Sequence, residues 1–286
     1  MKKRILLEVA YDGEGFHGFA LQDNARTVEG ELNRAISDLT GRKTEVIGAS
    51  RTDAGVHALK NIAVYDTEMN MEDWKAAYAI NSRLPGDVRV RRSYFVKEDF
   101  HPRKCDTVKT YRYTILNDEF ELPTMRRYSY FVHTPLDEGK MDRAAKAFVG
   151  EHDFKAFCSV HTQAQSTVRS VFSADVERND NVIYITVRGS GFLYNMVRII
   201  AGTLVDVGRG AISEDSIGGI IDSLDRTKAG PTAPPQGLCL CDIAFDPDPG
   251  RLSENQFTQS ARPHFAGKSD TNLGHVARIE YLREMK

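Results

Sequence analysis

The chain has 286 residues, of which 41% are apolar and 27% charged, and its formal net charge is −2. Such a composition is typical of a soluble globular protein with a sizeable core, and the length suggests one large or two ordinary domains. The balance of charge excludes a protein that binds nucleic acid through an overall positive charge, so any nucleic-acid surface must be a local patch.

The N-terminus and the cysteines both predict a cytoplasmic protein. Met1-Lys2-Lys3-Arg4 has the charges of a signal peptide, but Glu8, Asp12 and Glu14 interrupt the apolar run that would have to follow. No stretch is long and apolar enough to span a bilayer. The four cysteines are Cys105, Cys158, Cys239 and Cys241. No pair has the CxxC spacing of a zinc or redox site, so we expect reduced thiols.

The first hundred residues alternate between strand and helix patterns. Strands are predicted at residues 4–11, 44–47, 61–65 and 88–96. Helices are predicted at residues 28–40, with Thr27 as the N-cap and Gly41 as the stop signal, and at 71–83. The resulting order β-α-β-β-α-β is that of a ferredoxin-like unit.

The second half of the chain repeats this order. Strands are predicted at residues 105–116, 169–177, 182–188 and 238–245, with a short strand before residue 134. Helices are predicted at residues 137–149, 192–207 and 214–224. The fold class is therefore predicted to be α+β, with two ferredoxin-like halves in one mostly antiparallel sheet, helices on one side and a cleft between the halves. The expected domains are residues 1–104, residues 105–246 and a polar C-terminal extension at 247–286.

The densest set of reactive groups lies in residues 48–58, between two predicted strands. One cation, two hydroxyls, one carboxylate and one imidazole occur there, and Gly48 and Gly55 allow a sharp turn at either end. Loops held by flanking strands often carry function, but Asp and Thr also close ordinary surface turns. On this stretch alone, a polar turn and a functional loop fit equally well.

Basic and aromatic residues gather between Arg83 and Arg112, and residues 126–128 add to them. The cations are Arg89, Arg91, Arg92, Lys97, Arg103, Lys104, Lys109 and the pair Arg126-Arg127. The aromatics are Tyr94, Phe95, Phe100, Tyr111, Tyr113 and Tyr128. Each residue by itself fits a solvated strand face or a core ring, whereas the cluster as a whole favours an RNA backbone with unstacked bases.

A third stretch, residues 188–198, has glycines before a predicted helix with an apolar stripe. Arg198 lies inside this helix with no acidic residue within a turn. Because a buried charge needs a counter-charge, we expect a carboxylate from a distant part of the chain beside it.

The run Arg51-Thr52-Asp53-Ala54-Gly55-Val56-His57-Ala58 resembles the signature of the tRNA pseudouridine synthase A family. Seven further family-like pieces stand in the right order, so the resemblance covers roughly residues 4–246. They are Tyr11-Asp12-Gly13, residues 81–85, Phe100-His101-Pro102-Arg103, Lys109-Thr110-Tyr111-Arg112-Tyr113, Gly150-Glu151-His152-Asp153-Phe154, residues 189–198 and Ala233-Pro234-Pro235-Gln236-Gly237-Leu238. The chain departs from the family where Phe19-Ala20 replace the usual Trp-Gln and where Tyr194 replaces a frequent His.

The resemblance implies isomerisation of uridine to pseudouridine at positions 38, 39 and 40 of the tRNA anticodon arm, with base flipping. It implies no cofactor, no metal and a homodimer that binds tRNA across both subunits. Carried over by position, Asp53 is the nucleophile, Tyr111 packs on the target uracil and Arg198 pairs with Asp53. Leu238 then lines the pocket, and Arg51 helps hold the place or the backbone of the flipped nucleotide.

The residue types suit this chemistry. A carboxylate can attack C1′ of the ribose, attack C6 of the ring or assist loss of the base to a glycal, and the sequence does not choose among these routes. Burial alone raises the pKa of a carboxyl group, and a nearby guanidinium keeps it ionised. An aromatic face offsets the stacking that the flipped base loses.

Two other functions fit parts of the sequence. An RNA chaperone on a ferredoxin-like sheet would explain the cations and aromatics, but a carboxylate at Asp53 would then only repel phosphate. A metal-dependent hydrolase would use His57, His101 and Asp53, although the histidines lack HxH or HExxH spacing.

Overall fold

The computed structural model describes residues 2–159 and 164–246, which form an α+β fold around one large sheet. The strands are β1 (Lys3–Tyr11), β2 (Ile47–Gly48), β3 (His57–Thr67), β4 (Val88–Val96), β5 (Asp106–Asn117), β6 (Tyr130–Val132), β7 (Gly150–Asp153), β8 (Val168–Asn179), β9 (Val182–Gly189) and β10 (Leu238–Asp246). The α-helices are α1 (Val28–Thr40), α2 (Asp73–Asn81), α3 (Glu138–Ala145), α4 (Met196–Gly208) and α5 (Ile217–Ser223).

The sheet is mixed and mostly antiparallel. Its strand order is β4-β1-β3-β10-β5-β9-β8-β7, with β2 paired to β3 and β6 paired to β5. Only the β3–β10 and β5–β6 pairs are parallel among the described strands. The last described strand, β10, therefore lies near the middle of the sheet, between β3 and β5.

This central position of β10 brings together segments that are far apart in sequence. Cys239 is in register with His57 at the start of β3, and Leu240 is in register with Tyr111 on β5. The loop before β3 and the middle of β5 thus meet beside β10.

The first helix shows why the sequence predicted it well. The Thr27 side chain accepts a hydrogen bond from the backbone N–H of Gly30, and Gly41 adopts a φ of 69°, so both ends are capped as expected. Val28, Leu32, Ala35 and Ile36 are buried. The prediction of residues 28–40 is confirmed, as is that of β4.

Four elements differ clearly from the sequence prediction. β2 has two residues and β3 begins at His57, four residues earlier than expected, so the loop between them is short. α4 begins at Met196 because Asn195 has a φ of 61°, which is left-handed and cannot continue a helix. β7 was not predicted, since Gly-Glu-His-Asp has no apolar alternation, and it forms an edge of the sheet.

All four cysteines are free thiols, as the sequence predicted. Across the described ranges, no helix combines the length and apolar character that a membrane crossing needs. The predicted extension at residues 247–286 lies outside the described residues.

Candidate active site

A pocket of about 300 Å³ opens where the loop before β3, strand β5, the start of β10 and the turn before α4 meet. Four of the five residues assigned to the site by resemblance line it: Arg51, Asp53, Tyr111 and Leu238. The fifth, Arg198, does not line the pocket, but its Nη1 lies 3.8 Å from Oδ2 of Asp53. The tertiary fold therefore brings together residues that span almost 190 positions of sequence.

The loop that carries Asp53 turns sharply and is covered by the segment after β1. The backbone N–H of Val56 donates to the carbonyl of Asp53, and Gly55 adopts a φ of 78°, as its predicted turn role requires. A Cβ on Gly13 would lie 2.1 Å from the carbonyl oxygen of Val56. Glycine at this position lets the two backbones touch.

Gly48 serves a different purpose from the one expected. It does not adopt a positive φ, but a Cβ there would lie 2.1 Å from the ring of Phe19. Phe19 is fully buried and its ring centroid is 6.2 Å from that of Tyr11. The residue that departs from the family pattern thus packs directly behind the loop.

A buried hydrogen-bond network fixes the residues on either side of Arg51. Asn61 Nδ2 donates to the carbonyl of Ser50 at 2.9 Å and to the hydroxyl oxygen of Tyr11 at 3.2 Å. The Tyr11 hydroxyl is also hydrogen-bonded to Oγ1 of Thr52 at 2.8 Å, and either hydroxyl can be the donor. Because these groups are buried, each lost bond leaves an unsatisfied polar atom.

The guanidinium beside Asp53 is itself held in place. Arg198 Nε donates to the carbonyl of Ala233 at 2.8 Å, and Nη1 donates to Oδ1 of Asn195 at 2.7 Å. Asn195 in turn donates to Oγ of Ser159 at 2.8 Å. Burial raises the pKa of Asp53, and the positive charge of Arg198 opposes that rise.

Tyr111 projects from β5 into the same pocket and is 6% exposed. Its hydroxyl lies 3.3 Å from Oγ of Ser50, and its ring meets that of Phe192 edge-on at a centroid distance of 5.3 Å. Burial raises the pKa of Tyr111, so the phenol stays neutral at physiological pH. The pocket therefore combines a carboxylate with a neutral, immobilised aromatic hydroxyl.

The sequence pattern of the family described as tRNA pseudouridine synthase matches residues 8–120 and 144–246. The chain belongs to the tRNA pseudouridine synthase family. Its members are isomerases, which agrees with the predicted class of enzyme.

Relatives match over most of this chain and the whole of their own length. The tRNA pseudouridine synthase A of Thermoanaerobacter sp. (strain X514) is 45% identical over 243 residues, which is 85% of this chain. That of Ruminiclostridium cellulolyticum is 46% identical over 244 residues, again 85% of this chain. A solved structure titled "Crystal Structure of a Cbf5-Nop10-Gar1 Complex" covers 71% of this chain and 54% of its own, at 12% identity and a TM-score of 0.29, which is too low to carry an argument.

Sequence reasoning gave no role to several residues that the structure places at this site. Asn195 orients Arg198 from the residue before α4, and Phe192 meets the Tyr111 ring. Lys109 and Arg103 line the pocket, although the sequence placed them only in a broad basic cluster. For Lys109 a signal existed, because residues two apart on a strand project from the same face and Tyr111 is two residues further on.

A metal-dependent hydrolase was the second alternative. Within residues 2–159 and 164–246, no group of three His, Cys, Asp or Glu side chains is placed so that it could hold a metal ion. The Nδ1 atom of His57 accepts a hydrogen bond from the backbone N–H of Gly13 at 3.0 Å. Burial also lowers the pKa of His57, so its ring is neutral and anchors the turn at Gly13.

Proposed function

We propose that this chain is a tRNA pseudouridine synthase that isomerises uridines at positions 38, 39 and 40 of the anticodon arm, with Asp53 as the nucleophile. Membership of the family, and relatives named tRNA pseudouridine synthase A, support tRNA as the substrate and isomerisation as the reaction. The observation that carries the proposal is the Asp53 carboxylate, which lines a nucleotide-sized pocket with the Arg198 guanidinium 3.8 Å away.

The reaction breaks the N1–C1′ glycosidic bond, turns the uracil and joins its C5 to C1′. The proton leaves C5 and a proton is gained at N1, so the product is an isomer and nothing is consumed. Asp53 can start this sequence by attack at C1′, by attack at C6 or by assisting loss of the base to a glycal. In each case it must be ionised, and the charge of Arg198 favours that state against the effect of burial.

Base flipping is the second part of the proposal. The uracil leaves the anticodon stack and packs on Tyr111, while Leu238 closes the apolar side of the pocket. Arg51 is exposed at the mouth, where a guanidinium can hold the vacated place or the RNA backbone. Tyr111 is protonated, so it can take the C5 proton, directly or through water, only if it passes its own proton on.

Further proposals concern architecture and setting. The first four strands with α1 and α2, and the later strands with α3 to α5, fit two ferredoxin-like halves over residues 1–104 and 105–246, with helices on one side and a cleft between them. We also infer a homodimer and catalysis without a cofactor or metal from the resemblance, and a cytoplasmic location from the N-terminus and the cysteines. None of these rests on contacts seen in the fold.

Release of tritium from tRNA that carries [5-³H]uridine tests the function. Wild type and Asp53→Asn are run side by side in EDTA with no cofactor added. We expect release by wild type alone, because an amide cannot act as the nucleophile, and tRNA affinity of the variant that is equal or higher, because a negative charge near phosphate is removed. Release by both proteins would contradict the role of Asp53, and no release by either, with tRNA bound, would favour an RNA-binding protein.

A further inference from the structure

Lys109 lies on the same face of β5 as Tyr111 and lines the same pocket as Asp53. Directly across the sheet, its register partner on β9 is Gly189, where a Cβ would lie 2.7 Å from the carbonyl of Ser170 and 3.2 Å from the Phe192 ring. Any side chain at Gly189 would collide with the backbone of β8 and with this ring. The lysine is therefore part of the wall of the pocket rather than a freely solvated side chain.

The surroundings of Lys109 are positive. Arg103 also lines the pocket and is fixed by a 2.7 Å hydrogen bond from its Nε to the carbonyl of Gly48. Both Arg103 and Arg169 act on Lys109 through their positive charges. We call Arg103, Lys109 and Arg169 the cationic rim.

No carboxylate balances the cationic rim at Lys109. In the described part of the chain, the ammonium group makes no ion pair and donates no side-chain hydrogen bond, and Asp53 is the sole acidic residue among those that line the pocket. Asp53 has its own partner in Arg198, and it is not among the charges that act on Lys109. Among the described residues, the Lys109 ammonium group and the Asp53 carboxylate are thus not paired with each other.

An unpaired, half-buried ammonium group costs free energy in the free protein. Burial, together with Arg169 and Arg103, lowers the pKa of Lys109 to about 8. A bound anion would recover that cost, and a phosphate is the anion that an RNA substrate brings.

We propose that Lys109, flanked by Arg103 and Arg169, binds a phosphodiester group adjacent to the nucleotide whose base enters the pocket. The inference rests on the proposed function, in which C1′ of that nucleotide faces Asp53 and its uracil packs on Tyr111. A nucleotide carries its phosphate several ångströms from C1′, so an acid for the sugar and a cation for the phosphate belong at opposite ends of one pocket. Lys109 positions the substrate and takes no part in bond breaking.

The test compares Lys109→Gln, Lys109→Arg and the control Lys75→Gln, whose side chain lies 53% exposed on α2. Each protein is titrated with an unmodified tRNA transcript over a range of salt concentrations, and turnover is measured by tritium release. We expect Lys109→Gln to weaken binding about 5–20-fold near 0.1 M salt and to reduce the slope of log K against log salt by about 0.7–0.9, the value for one lost phosphate contact. KM should rise by a similar factor with kcat little changed, Lys109→Arg should restore both, and Lys75→Gln should match wild type.

A second measurement identifies the phosphate. A tRNA carries one neutral methylphosphonate, either 5′ or 3′ of the target uridine. If Lys109 binds that phosphate, the substitution weakens binding to wild type at one of the two positions and adds nothing to the loss in Lys109→Gln. Additive losses at both positions would overturn the assignment.

Other outcomes separate this inference from the function on which it rests. If wild type converts uridine while Lys109→Gln keeps its affinity and salt slope, the phosphate contact is wrong and the enzyme assignment stands. A fall in kcat with unchanged binding would also overturn it, because Lys109 would then act in the chemistry. If no protein releases tritium but Lys109→Gln still loses the salt slope, the phosphate site stands without the proposed reaction. A melting temperature of Lys109→Gln at or above that of wild type excludes misfolding as the cause of any loss.

Discussion

The two charged side chains that we compare in the pocket, Asp53 and Lys109, have opposite electrostatic surroundings. At one end, the Asp53 carboxylate faces Arg198, and Arg198 is fixed by Asn195 and the carbonyl of Ala233. At the other end, Lys109 has cationic neighbours and no counter-charge within the described chain. In the proposed function, the protein thus supplies the partner of the reacting carboxylate itself, whereas the partner of Lys109 comes with the RNA substrate.

The ends also differ in how the backbone supports them. The Asp53 loop is enclosed by the segment after β1 and by the buried network of Asn61, Tyr11 and Thr52. Lys109 projects from the first third of β5 and needs no such framework. A loop that must hold a reacting group requires buried supports, whereas a regular strand positions its side chains through the sheet itself.

Replacing Arg198 should produce the largest change in activity, because it removes the cation that pairs with Asp53. We expect Arg198→Met to lower kcat/KM about 100–1000-fold, the scale for loss of one preorganised electrostatic partner. Without the guanidinium the pKa of Asp53 rises further, so the acid limb of the pH–rate profile should move to higher pH. Tritium-release rates across the acid range provide the measurement.

Arg143→Met on α3 is the matched control, since Arg143 is an exposed arginine paired with Glu214. It should leave both rate and pH profile unchanged. An acid limb that stays in place in Arg198→Met would show that Arg198 does not favour the ionised form of Asp53.

Removing the buried hydrogen-bond network beside the Asp53 loop should have an intermediate effect, mainly on the stability of the fold. Asn61→Ala leaves the carbonyl of Ser50 and the Tyr11 hydroxyl without their donor inside the core. We expect a loss of about 1–3 kcal/mol in the free energy of unfolding, measured by urea titration. Asn179→Ala, at an exposed end of β8, should change it by less than about 0.5 kcal/mol. Equal values for both variants would contradict the importance of the network.

The smallest expected effect is the contribution of Lys109 to the pH dependence of stability. Because the folded-state pKa of Lys109 is about 8 and the unfolded value is higher, the unfolded chain binds more protons above about pH 8. Wild type should therefore gain stability relative to Lys109→Met as the pH rises from about 8 towards the unfolded pKa. At pH 7 the variant should melt at the higher temperature.

Melting curves at pH 7, 8, 9 and 10 measure this difference, with Lys75→Met as a control that should show no trend. A difference between wild type and Lys109→Met that stays constant over this range would indicate that Lys109 is solvated in the folded protein.

Local sequence signals predicted the regular elements better than the site. Thr27 and Gly41 delimit α1 because caps act within a few residues, and the alternation in residues 88–96 matches β4. The short loop before β3 was harder to predict, because pairing with β1 and β10 extends β3 back to His57. No local pattern contains that information.

The sequence by itself determined the family, because the run from Arg51 to His57 and its ordered companions are specific and need no coordinates. It also determined the candidate residues Asp53, Tyr111, Arg198, Arg51 and Leu238. The resemblance also predicted that Arg198 pairs with Asp53, 145 residues away, and the tertiary structure places the two side chains 3.8 Å apart. Only the tertiary structure decided that Lys109 lines the same pocket and loses much of its contact with solvent there. Charge pairing and desolvation depend on distances in space, and these are set by the insertion of β10 between β3 and β5.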